Sequence, residues 1–136
     1  NLPSPTELAP LIVLYNGGRF VELATHVETS LSRYPQSGFL WKLLGAAKIR
    51  LNKNSLSAFR QAAALLPDDA ESHYNLGLAL KTQNALTEAV DSYRTALSIN
   101  PNYAEAHANL GNTLSMLGKF DEAIANLRSA LKIRPE

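Results

Sequence analysis

The chain has 136 residues, a formal net charge of +1, 46% hydrophobic residues and 18% charged residues. This composition fits a folded chain long enough for one domain with a shared core, and it excludes disorder. A charge so close to zero excludes a bulk pull toward nucleic acid or an anionic membrane, and the lack of cysteine excludes disulfides, thiolate metal sites and cysteine nucleophiles.

No apolar run approaches the roughly 20 residues needed to span a bilayer, so no membrane insertion is expected. The start, Asn1-Leu2-Pro3-Ser4-Pro5, has no basic region and no apolar signal core. A cytoplasmic location is the expectation, although a cysteine-free chain is equally compatible with a periplasm. The last residues, Arg134-Pro135-Glu136, stop at a helix end and read as the edge of a fragment of a longer protein.

In chain order, Leu11 to Tyr15 reads as the end of a first helix. Gly17-Gly18 makes a turn, and Phe20 to Tyr34 reads as a second helix ending at Pro35. These elements form a worn hairpin over residues 5–35. A clearer unit follows over 38–67, opened by Trp41-Lys42-Leu43-Leu44-Gly45 and continued by Phe59-Arg60-Gln61-Ala62. It is two residues shorter than the units after it, and the loss is expected in the turn at Asn52-Lys53-Asn54.

The next two units, 70–101 and 104–135, reveal the period. Pro67, Pro101 and Pro135 recur every 34 residues. Leu76-Gly77 returns as Leu110-Gly111, Glu88-Ala89-Val90 as Glu122-Ala123-Ile124, and Arg94-Thr95-Ala96-Leu97 as Arg128-Ser129-Ala130-Leu131. A fixed period of this length marks a repeat architecture. Within one unit, Asp68 and Asp69 are placed to cap the first helix. Asn84, like Gly118 one period later, suits the left-handed residue that ends it. Leu86, Ala89, Val90, Tyr93, Ala96 and Leu97 then follow helical spacing. Gly77 with Ala89, and Gly111 with Ala123, allow two antiparallel helices to approach closely, while Tyr93 and Leu127 are expected to fill the gap toward the neighbouring hairpin. A glycine inside a helix costs roughly 1 kcal/mol against alanine, so its recurrence at Gly45, Gly77 and Gly111 points to packing.

The pattern Trp41…Leu44-Gly45…Phe59…Ala62…Pro67, then Leu76-Gly77…Ala89…Tyr93…Ala96…Pro101, then Leu110-Gly111…Ala123…Leu127…Ala130…Pro135 resembles the tetratricopeptide repeat. The resemblance is strong over 38–136 and weak over 5–35. It departs at the fourth place of the repeat, where Trp41 is replaced by His73 and His107, and at the eleventh, where the family's tyrosine is Lys48, Leu80 and Leu114. It implies an all-α fold: a right-handed α-solenoid of antiparallel helix hairpins, about eight helices in a single domain over 1–136.

Chemistry is not expected. His26, His73 and His107 do not amount to a metal site, which needs three or four converging ligands. No acid pair, nucleophile constellation, phosphate loop or basic stripe appears, so no catalytic residue, no cofactor, no metal and no nucleic-acid partner is expected. The resemblance implies instead a protein-interaction scaffold whose first helices line a concave groove for a peptide or helix. The candidate contacts are Asn75, Asn109 and Asn112, flanked by Lys42, Arg50 and Lys81 and by apolar Leu78 and Met116. A side-chain amide carries both a donor and an acceptor and so can grip a peptide bond.

The asparagine ladder is similar to that of the protein O-GlcNAc transferases. The segment from Tyr15 through Ala46 looks like repeats that precede glycosyltransferase or sulfotransferase domains, so a substrate-presenting region of a larger enzyme is a second reading. A carboxylate clamp for chaperone tails is not expected, since only Lys42 and Asn75 fit and Glu105 would repel a carboxylate. A third reading is self-association through the apolar edge 120–133, which carries Ile124, Leu127, Leu131 and Ile133.

Overall fold

A computed structural model describes residues 1–135; Glu136 lies outside the described residues. Those residues form eight α-helices and no strand. They are α1 (Pro5–Asn16), α2 (Phe20–Arg33), α3 (Gly38–Arg50), α4 (Leu56–Leu65), α5 (Ala70–Thr82), α6 (Leu86–Ile99), α7 (Ala104–Met116) and α8 (Phe120–Ile133). The chain divides into two compact units, Asn1–Leu66 and Pro67–Glu136.

In the first unit α1 packs on α2, α2 on α3, and α3 on α4. Ser4 caps α1 in a reciprocal arrangement: its hydroxyl accepts from the Glu7 amide, and the Glu7 carboxylate accepts from the Ser4 amide. The same carboxylate accepts from the Tyr34 hydroxyl at 2.7 Å and lies 3.4 Å from Arg33, which ties the end of α2 back to the start of α1. The backbone and tyrosine donors hold the Glu7 carboxyl below its ordinary value of 4.5. Leu23, Val27 and Leu40 are fully buried at the centre of this unit.

The connection between α3 and α4 shows how the shortening is taken up. Asn52 takes the left-handed conformation at φ 57°, as Asn84 does at 61° and Gly118 at 78° in the later turns. That residue keeps its register, but the connection after α3, 51–55, is two residues longer than 83–85 between α5 and α6. The loss falls after it, at the start of α4, which has 10 residues where α6 and α8 have 14. Asn54 accepts from the Leu56 amide at 2.9 Å and so restarts the helix late.

In the second unit α6 packs against both α5 and α7, and α7 pairs with α8. Asp69 caps α5, its carboxylate accepting from the Ser72 amide at 3.1 Å. A Cβ added to Gly77 would lie 2.5 Å from the Tyr93 ring, and one on Gly111 would lie 2.7 Å from Leu127 and 3.0 Å from the Ala123 carbonyl oxygen. Tyr93 and Leu127 therefore fill the space left by the glycine of their own hairpin. The same relation holds in the first unit, where Gly45 faces the Phe59 ring. A large side chain opposite a missing Cβ lets two helices close to native density.

The substitutions at the fourth place also acquire a reason. The Trp41 indole N–H donates to the Pro35 carbonyl at 2.9 Å. His73 Nε2 meets the Pro67 carbonyl, and His107 Nε2 the Pro101 carbonyl, at the same distance. A carbonyl only accepts, so each imidazole carries its proton on Nε2 and repeats the work of the indole. Each ring satisfies a carbonyl just past the end of the preceding helix, where intrahelical partners run out.

Candidate peptide-binding face

In the second unit the candidate residues fall on α5 and α7, the first helices of the two hairpins. Asn75 and Leu78 are one turn apart on α5, with Lys81 a turn further. Asn109, Asn112 and Met116 follow the same three- and four-residue spacing on α7, so each set shares a helix face. Asn75, Leu78, Lys81 and Asn109 are half-buried, while Asn112 and Met116 are exposed. The remaining two, Lys42 and Arg50, belong to α3 in the first unit. Arg50 there stacks over the Phe20 ring at 5.2 Å, so part of its attraction is already committed to an aromatic face.

The two asparagines are not equivalent. Asn109 donates from Nδ2 to the Tyr74 hydroxyl at 3.1 Å and to the Glu105 carbonyl at 3.0 Å. Both amide hydrogens are thus engaged, and Oδ1 is left to accept. Asn75 makes no side-chain hydrogen bond among the described residues, so its donor and acceptor both remain available. An expectation of two equal amide grips therefore becomes one free amide beside one oriented acceptor.

Tyr74 was not among the candidate contacts read from the sequence, yet it organises this face. Its ring lies 4.9 Å from Tyr103 and 5.9 Å from Tyr93, and its hydroxyl accepts from Asn109. The signal was present in Tyr74-Asn75, a polar-tipped aromatic next to the candidate amide. Burial raises the Tyr74, Tyr93 and Tyr103 hydroxyls above their ordinary range, with neighbouring carboxylates adding to the effect on Tyr74 and Tyr103. All three rings stay neutral near pH 7, so this face carries polar groups without phenolate charge.

Among the described residues no group of three His, Cys, Asp or Glu side chains is placed to hold a metal ion. No helix is long and apolar enough to cross a membrane.

A model of the TPR repeat matches residues 80–118, and a model of the tetratricopeptide repeat matches residues 104–136. Residues 80–136 carry tetratricopeptide repeats. Solved tetratricopeptide-type structures extend that fold over nearly the whole chain. MamA superposes with a TM-score of 0.89 at 22% identity, covering 96% of this chain and 77% of its own. YrrB, described as a TPR protein with an unusual peptide-binding site, superposes with a TM-score of 0.87 at 23% identity, covering 96% and 68%. The all-α tetratricopeptide solenoid is thereby the fold of this chain. Among curated proteins none matches its sequence.

Proposed function

We propose that the chain is a protein-interaction scaffold and that the α5–α7 face of its second unit takes an extended segment of another protein. The observation that carries this reading is the pairing of a free amide, Asn75, with an acceptor, Asn109 Oδ1, oriented by Tyr74 and by the Glu105 carbonyl. An extended peptide offers one N–H and one C=O per residue, so an acceptor and a two-way amide on adjacent helices match its backbone without demanding a sequence. Leu78 and Met116 supply apolar contact around them, and Lys81 adds a cation at the rim.

Tetratricopeptide identity supports the scaffold reading, and the YrrB likeness adds a fold relative described by a peptide-binding site. The test is selection of peptides from a random displayed library on the wild-type chain, followed by calorimetry on the variants. Asn75→Ala is expected to weaken the selected peptides by about 1 kcal/mol and the double variant Asn75→Ala/Asn109→Ala by about 1–3 kcal/mol. Peptides that bind the double variant as tightly as the wild type would sink the proposal.

A further inference from the structure

One surface of the last hairpin repeats a surface that is covered one period earlier. On α5 and α6 the covering piece is α7 with the start of α8, and the junction has three polar or aromatic links. Arg94 pairs with Glu122 at 2.8 Å, Tyr74 stacks on Tyr103, and Tyr74 accepts from Asn109. The corresponding residues one period on are Arg128 for Arg94 and Ala108 for Tyr74. Arg128 is exposed and has no partner among the described residues. Beside Ala108 opens a mostly apolar trough of about 430 Å³, lined by Leu127, Ala130 and Leu131 together with the Arg134–Glu105 ion pair. Leu131 is 58% exposed.

The first hairpin has the features of the covering piece. Its register matches that of α7–α8: Gly18-Arg19-Phe20-Val21-Glu22 stands where Gly118-Lys119-Phe120-Asp121-Glu122 stands, with a left-handed glycine opening both. Glu22 is thus the equivalent of Glu122, the acid that Arg94 holds. Ala9 is the equivalent of Asn109, and Pro3 that of Tyr103. The complementarity survives the exchange. Where Tyr74 bonds Asn109, the new pair is Ala108 with Ala9, so a hydrogen-bonded pair is replaced by an apolar one on both sides together. Where Tyr74 stacks on Tyr103, the pair is Ala108 with Pro3. Val13, 68% exposed, occupies the place of the fully buried Thr113.

We infer that this chain self-associates head to tail, the α7–α8 surface of one copy receiving the α1–α2 hairpin of the next with Arg128 against Glu22. Glu22 already pairs with Arg19, the residue before its helix, and both are exposed, so the carboxylate is open to a second cation. The contact joins two different surfaces. It leaves one of each free on every dimer, so assembly runs on to a ring or filament as concentration rises. The inference goes beyond the peptide-binding reading and uses none of its residues.

The test is sedimentation velocity on the full chain up to about 1 mM, the weak end of specific association. The average mass is expected to rise continuously with concentration. Val13→Glu blocks the head, Leu131→Glu blocks the tail, and both sites are exposed enough to leave the fold intact, which circular dichroism checks. Each variant alone is expected to be a monomer, and an equimolar mixture to form a dimer through the one intact pair of surfaces. Arg128→Glu and Glu22→Arg are each expected to weaken association by roughly 3- to 10-fold, and the double exchange to restore it. A wild-type chain that stays monomeric throughout, a mass that stops at the dimer, or blocked variants that fail to pair when mixed would each overturn the inference.

Discussion

The α3–α4 and α5–α6 hairpins solve the same packing problem with different parts. Each sets a ring against a glycine, Phe59 over Gly45 and Tyr93 over Gly77, and each ties its fourth-place ring to a preceding proline carbonyl. They differ in everything that this contact does not require. The α4 helix is four residues shorter than α6 and starts late, and it has no residue in register with Ala89. Phe59 has no hydroxyl, whereas the Tyr93 hydroxyl is buried without a hydrogen-bond partner. The comparison teaches that the ring-on-glycine contact defines the hairpin, and that helix length and polar tips are adjustable around it.

The strongest way to break this equivalence is to remove the rings. Phe59→Ala and Tyr93→Ala are each expected to cost about 3–5 kcal/mol, because both side chains are at most 1% exposed and leave a cavity between helices. Urea denaturation of each variant measures this. A cost confined to one hairpin would show that the two contacts are not equivalent. The reverse change, Gly77→Ala, fills the same space from the other side. It is expected to cost about 1–3 kcal/mol despite alanine's better helix propensity, since the added Cβ would meet the Tyr93 ring at 2.5 Å. Thermal melting checks the sign, which propensity alone would make favourable.

The hydroxyl sharpens the comparison further. Tyr93→Phe makes the third hairpin resemble the second and removes a buried unpartnered group, so it is expected to stabilise the chain by about 1 kcal/mol. Phe59→Tyr is expected to destabilise it by a similar amount. Denaturation of both variants side by side reads the pair of opposite signs.

The smallest effect concerns the first hairpin, which ties its ends with a charge. The Glu7 carboxyl is held below 4.5 by the Ser4 amide first and the Tyr34 hydroxyl second. A carboxyl lowered in the fold contributes stability that is complete above its unfolded value and is lost as pH falls through the folded one. The wild type is therefore expected to lose a little more stability than Glu7→Gln between neutral pH and the region below 4.5. Melting temperatures across that range, with an NMR titration of Glu7, test it. An equal loss in both proteins would remove Glu7 from the account.

Much of this was legible beforehand. The 34-residue period, the helix starts at Phe20, Leu86 and Phe120, and the left-handed turn residues Asn84 and Gly118 follow from local preferences that one stretch of chain carries by itself. Three particulars depended on packing. The shortened unit lost the start of α4 and lengthened its connection, because the left-handed Asn52 and the buried Phe59 both held register and the change fell between them. The Tyr93 ring lies against Gly77 because the missing Cβ leaves room there. Asn109 lost its donors to Tyr74 and to the Glu105 carbonyl, and the Tyr74 contact lies 35 residues away in sequence.

The sequence by itself determined that helices pair, where most of them begin and end, and that a repeat recurs, because those outcomes depend on spacing and backbone preference. Only the tertiary structure decided which face of an asparagine remains open and which gap a tyrosine fills. Those outcomes depend on directions and distances between side chains on different helices, to which a one-dimensional pattern is blind.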